Sequence, residues 1–74
     1  MGRNVNYDLL KAINRKYGSQ VEFSIAVGLS QGFVSYVING RRVLPPVHHQ
    51  VWADALEMSL EEFDDILNAH EAVA

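Results

Sequence analysis

Hydrophobic positions along the chain recur three and four residues apart, in five short runs separated by glycine, proline and small polar residues. That spacing lays apolar side chains along one stripe of a helix, because each residue turns by about 100°. The first run is Leu9, Leu10 and Ile13, closed by Tyr17; it predicts a helix over residues 7–16, capped by Asn4 or Asn6 and ended by Gly18. The second begins at Ser19, followed three residues later by Glu22. This is a capping-box pattern: the hydroxyl accepts from the N–H of residue 22, and the carboxylate reaches back to the N–H of residue 19. The helix it opens runs to about Val27, and Gly28 marks the turn, where a left-handed backbone costs glycine little.

Leu29 follows as an apolar anchor, Ser30 is a second N-cap, and the third helix stops at Asn39-Gly40. Val43 and Leu44 are expected to tuck the next loop onto the core. Pro45 and Pro46 bar helix continuation and pre-set a fourth helix, from residue 46 or 47 to residue 56, that buries some of Val47, Val51, Trp52, Ala55 and Leu56. Trp52, the largest apolar group, is the expected anchor. Ser59 and Glu62 form another capping box, opening a last helix over residues 60–70. Leu60, Phe63, Ile66 and Leu67 make its inner stripe; Glu61, Glu62, Asp64 and Asp65 lie outside, where acids suit a helix N-terminal end. The pattern predicts an all-α fold, a compact bundle of about five short helices forming one domain over residues 1–74.

The faces of the third helix carry the candidate chemistry. Phe33, Val34, Val37 and Ile38 fall in one arc of about 140° and must be buried. Gln31, Ser35 and Asn39 line the opposite side, flanked by Gly32 and Tyr36, and Arg41-Arg42 follow at once. A face kept exposed for solubility ordinarily carries Glu and Lys. This one carries uncharged hydrogen-bonding groups beside two cations, as a helix set in a major groove requires, since Gln and Asn amides donate and accept against base edges.

Residues 19–42 resemble the helix-turn-helix of the phage lambda-repressor/Cro-like family, also called the Cro/CI or xenobiotic-response-element type. The matching features are Gln20 opening the first helix of the pair, apolar Phe23 and Val27, Gly28 in the turn and Leu29-Ser30-Gln31. Val34 and Val37 fill the two buried positions of the recognition helix, and Asn39-Gly40-Arg41-Arg42 matches the closing motif. Ser24 stands where the family usually has Ala, and Gly32 where it often has a polar base reader. The resemblance implies a lambda-repressor-like bundle that binds double-stranded DNA as a homodimer. The implied contact set is Ser19, Gln20, Ser30, Gln31, Gly32, Ser35, Tyr36, Asn39, Arg41 and Arg42. Within it, Ser19, Gln20 and Asn39 are expected on phosphates; Gln31, Ser35 and Tyr36 on base edges; Gly32 as a point of close approach; and the two arginines on phosphates.

The net charge of −3 speaks against nucleic acid until its distribution is considered. Residues 1–50 hold all six basic residues against Asp8 and Glu22, a balance of +4, while residues 51–74 hold seven acids and no Lys or Arg. The chain is thus polarised into a basic part and an acidic end. Lys11 is expected to serve the C-terminal end of the first helix, and Arg15 and Lys16 either that end or a phosphate. Val21 and Ile25, four apart, are expected to pack under the first helix, with a contact patch as the alternative.

No cysteine is present, so disulfides and thiolate metal sites are excluded. His48 and His49 are adjacent, point about 100° apart on a helix and cannot share one metal ion, so no metal or cofactor is expected. No apolar run is long enough to span a membrane, and Asn6 stands where a myristoylation motif needs Ser or Thr. A cytoplasmic protein is expected. Nothing in the chain suggests an enzyme or a small-molecule substrate: paired His/carboxylate groups and a phosphate loop are both missing. The competing reading is a protein-interaction module of the same fold, antitoxin-like or antirepressor-like, using Val21, Ile25, Phe33 and the acidic end.

Overall fold

Five α-helices form close to where the periodicity places them: α1 (Tyr7–Tyr17), α2 (Gln20–Val27), α3 (Gln31–Ile38), α4 (His49–Ala55) and α5 (Leu60–Glu71). The computed structural model describes residues 5–71, and side chains to residue 68. Residues 1–4, among them the candidate cap Asn4, and residues 72–74 lie outside it, as do the side chains of residues 69–71. Among the described residues the structure is all-helical, with no strand.

Local chemistry sets the helix ends. Asn6 caps α1: its Oδ1 accepts from the Leu9 N–H at 3.1 Å. Asn6 does more than the sequence suggests, because it is buried, with its N–H donating to the Ile38 carbonyl (2.7 Å) and its amide to the Ile66 carbonyl (3.4 Å). One residue thereby joins the start of α1 to the end of α3 and the middle of α5. Ser19 and Ser30 cap α2 and α3, accepting from the N–H groups of Glu22 (3.2 Å) and Phe33 (3.1 Å). Only half of the expected Ser19–Glu22 box forms; Glu22 is exposed and its carboxylate stays in water. The Ser59–Glu62 box closes in both directions, at 3.0 and 3.1 Å.

The chain between α3 and α4 departs from expectation in detail. Residues Pro46–His48 form a single 3₁₀ turn before α4, closed by the His48 N–H on the Pro45 carbonyl at 3.0 Å. Pro46 opens this turn, at a position where the N–H it lacks has no partner in any helix start. Of the five residues offered for burial along the fourth helix, Trp52 and Leu56 are buried while Val47 and Val51 are exposed; Val43, expected on the core, is exposed too, and Leu44 alone anchors the loop. Leu60 is likewise exposed at the mouth of α5, while Phe63 and Leu67 are buried.

The core joins Leu9 and Ile13 of α1, Phe23 of α2, Val34, Val37 and Ile38 of α3, Leu44, Trp52, Ala53 and Leu56 around α4, and Phe63 and Leu67 of α5. Aromatic rings run through its centre. Tyr17, Phe23 and Trp52 meet edge to face at 5.4 and 5.0 Å, and Trp52 lies 6.3 Å from Phe63. Such pairs add about 0.5–1.5 kcal/mol each beyond the area they bury. The Tyr17 hydroxyl donates to the Ala55 carbonyl at 2.8 Å, fixing the end of α1 on the end of α4. No single helix among the described residues is long and apolar enough to cross a membrane.

Candidate nucleic-acid interface

Helices α2 and α3 meet at a sharp corner, bent by 112° across three residues. Two sequence features make the corner. Gly28 takes a left-handed conformation (φ 75°), so the N–H groups of Gly28 and Leu29 turn back onto the carbonyls of Ile25 (3.2 Å) and Ser24 (3.0 Å). Ser30 then restarts the helix through its cap. Buried Ser24 donates its hydroxyl to the Val21 carbonyl at 2.7 Å, which satisfies the one polar group at the crossing.

At the corner, α3 buries Val34, Val37 and Ile38. The remaining arc faces outward. Gln31, Gly32 and Tyr36 are exposed, with Ser35 half-buried on the same side. Gly32 lies at the centre of that arc, and a Cβ placed there meets nothing within 4 Å. The outer surface of α3 is therefore notched at residue 32, between Gln31 on one edge and Tyr36 and Phe33 on the other.

Ser35 and Asn39 do not project independently. The Asn39 amide donates to the Ser35 hydroxyl at 3.2 Å, and Asn39 also forms the C-cap of α3. The pair shares one hydrogen bond and keeps further capacity on the Asn39 amide and the Ser35 oxygen.

Beyond Asn39 the chain reverses. Gly40 is left-handed (φ 74°), and the Arg41 N–H closes onto the Tyr36 carbonyl at 2.8 Å. The reversal carries Arg42 back along α3 until its guanidinium lies 5.0 Å from the centre of the Phe33 ring. Phe33, expected in the core, is only half-buried; Arg42 covers it, and His48 meets the same ring edge-on at 5.8 Å. Both Arg41 and Arg42 are exposed, and among the described residues neither pairs with a carboxylate.

Of the other candidates, Ser19 is committed as a cap, and Gln20 is half-buried on the first turn of α2. Ser30 caps α3 from an exposed position. Lys16 pairs with Glu57 at the surface, and Arg15 is exposed. Val21 and Ile25 are not packed under α1: they stand 42% and 68% exposed, on the side of α2 turned from Phe23 and Val27. An eight-residue helix has two faces, and Phe23, Ser24 and Val27 already fill the inner one.

Sequence reasoning missed the role of His49, and with it a paired His/carboxylate that was expected to be missing. Its Nδ1 lies 3.0 Å from Asp64 Oδ1 and its Nε2 3.0 Å from the Leu44 carbonyl oxygen. Both partners accept, so a ring nitrogen that carries a proton donates to the oxygen it faces. His49 thus straps the loop that follows Arg42 to α5. No family model matches the chain, and the search of curated proteins found no match either.

Proposed function

We propose that the chain is a sequence-specific DNA-binding regulator of the helix-turn-helix type, a small phage-type repressor acting in the cytoplasm. The observation that carries the reading is the outward arc of α3: uncharged hydrogen-bonding groups around a notch, flanked by two arginines that pair with no carboxylate among the described residues. The 112° corner supports it, since helix pairs that present a second helix to the major groove cross at about 90–120°. The resemblance to lambda-repressor/Cro-like sequences supports it independently.

In this reading α3 enters the major groove. Gln31 and Tyr36 face base edges, Ser35 does so with Asn39 behind it, and Gly32 admits the groove wall to the helix backbone. Ser19, Gln20, Ser30 and Asn39 line the phosphates on either side, and Arg41 and Arg42 supply the charge-assisted contacts. Two protomers bind half-sites about one helical turn apart. Titrating a random duplex at increasing salt tests the reading. Each phosphate neutralised contributes a slope of about −0.9 in log K against log salt, so the protein should lose affinity steeply. Flat, negligible binding would reject it.

One observation favours a second reading, the protein-interaction module. Val21 and Ile25 put two β-branched side chains on the open side of α2, where a DNA-reading domain has no use for them. Unchanged duplex affinity in a Val21→Ser/Ile25→Ser double variant that loses a protein partner would support that module.

A further inference from the structure

An arginine on an exposed loop ordinarily samples many rotamers, and binding a phosphate must first order it. Arg42 is arranged differently. The Gly40 reversal brings it alongside α3, and its guanidinium lies 5.0 Å from the centre of the Phe33 ring, within the range of attraction to an aromatic face. The ring is itself held, because His48 meets it edge-on at 5.8 Å and Phe33 belongs to the rigid first turn of α3. His48 in turn ends the 3₁₀ turn that leads into α4, so the stack spans α3, its trailing loop and the start of α4. Neither Phe33 nor His48 contributes a hydrogen bond to the outward arc. Phe33 nonetheless lies against a cation at the edge of that arc, with His48 packed on the same ring.

We propose that Phe33 is a positioning residue for Arg42, holding the guanidinium on the flank of α3 in the free protein so that it meets a DNA phosphate already oriented. The inference rests on the DNA-binding reading and adds to it a residue that touches no DNA. Its plain alternative is that Phe33 merely covers the edge of the core.

The two are separated by a double-mutant cycle, reading the affinity of the full chain for a fluorescein-labelled random duplex by anisotropy. Phe33→Leu keeps an apolar side chain and removes the aromatic face. It should weaken binding about two- to fivefold with the salt slope unchanged, because Arg42 keeps its charge. Arg42→Ala should weaken binding further and flatten the slope by about 0.9. In the Arg42→Ala background, Phe33→Leu should cost nothing more, and Phe33→Trp alone should bind as tightly as the parent. An equal loss from Phe33→Leu with and without Arg42, or no loss at all, would overturn the proposal.

Should Phe33→Leu fail to fold, the parent protein still gives a test. The Arg42 Hδ protons should show an upfield ring-current shift in its NMR spectrum, and their absence from shifted positions would equally overturn the stack. A parent protein that binds no duplex at any salt fails at an earlier step: the DNA reading falls and the positioning role with it. The binding curve of the parent thus distinguishes that failure from failure of the Phe33 coupling.

Discussion

Gly32→Ala separates the stability of α3 from its use. Gly32 lies in the first turn of the helix with ordinary helical backbone, and a Cβ there meets no atom within 4 Å. The substitution therefore meets no steric opposition, and it removes the conformational freedom that glycine gives the unfolded chain. The expected gain is about 0.5–1 kcal/mol. For a domain of this size that corresponds to a rise in Tm of roughly 2–8 °C, measured by circular dichroism. DNA binding should move the other way. The added methyl fills the notch between Gln31 and Phe33 and lifts the helix backbone off the groove, disturbing the base contacts of Gln31. A good base contact discriminates by about 1–3 kcal/mol, so partial loss should weaken binding to a selected duplex by about fivefold or more. A stabilised variant with undiminished affinity would refute the claim that the notch lies against DNA. A destabilised variant would refute the open space around Gly32 itself.

Gln31→Ala should cost about 1–3 kcal/mol on the preferred duplex and much less on random sequence; equal losses on both would remove Gln31 from the base-reading set. Glu57 adopts a left-handed backbone (φ 57°) where α4 turns back on itself, and its pairing with Lys16 is largely solvent-exposed. Glu57→Gly and Glu57→Ala both lose the pair, but only glycine relieves the backbone, so the glycine variant should be the more stable by about 1 kcal/mol in urea unfolding. Equal midpoints would show no strain at that turn. His49→Ala should lower stability by about 1–3 kcal/mol, since it leaves the Leu44 carbonyl and Asp64 without their shared donor. Hydrogen exchange of the loop amides should accelerate with it, and unchanged exchange would mean that the strap does not hold the loop.

Helix ends were legible in the sequence wherever the chemistry is local. Ser19, Ser30 and the Ser59–Glu62 pair cap their helices from within three residues, and Gly28 and Gly40 turn the chain because only glycine adopts that backbone cheaply. What remained hidden depends on neighbours distant in sequence. Helical periodicity fixes the angle of Val21, Ile25, Val47 and Val51 around their own axes but not which side another helix covers. On such short helices Phe23 and Trp52 already take the covered side, so the surplus valines and the isoleucine end in water. Glu57 carries no residue-type signal for a left-handed turn. The role of His49 was hidden because its partners, Leu44 and Asp64, lie on separate segments. In the candidate site, the outward set on α3 was readable from angular position alone. The Ser35–Asn39 bond and the Arg42–Phe33 stack required the chain reversal at Gly40 to be seen.

The hydrogen bond between Ser35 and Asn39 limits how the outer surface of α3 can be rewritten. Gln31, Gly32 and Tyr36 stand clear of the buried valines and can be exchanged as a cassette, each choice leaving the fold untouched. Position 35 is not free in that sense. A new side chain there takes away the partner of the Asn39 amide while the backbone closure of the helix stays in place, so a library that randomises residue 35 also sets residue 39 loose and samples their shared edge fully only if both are varied.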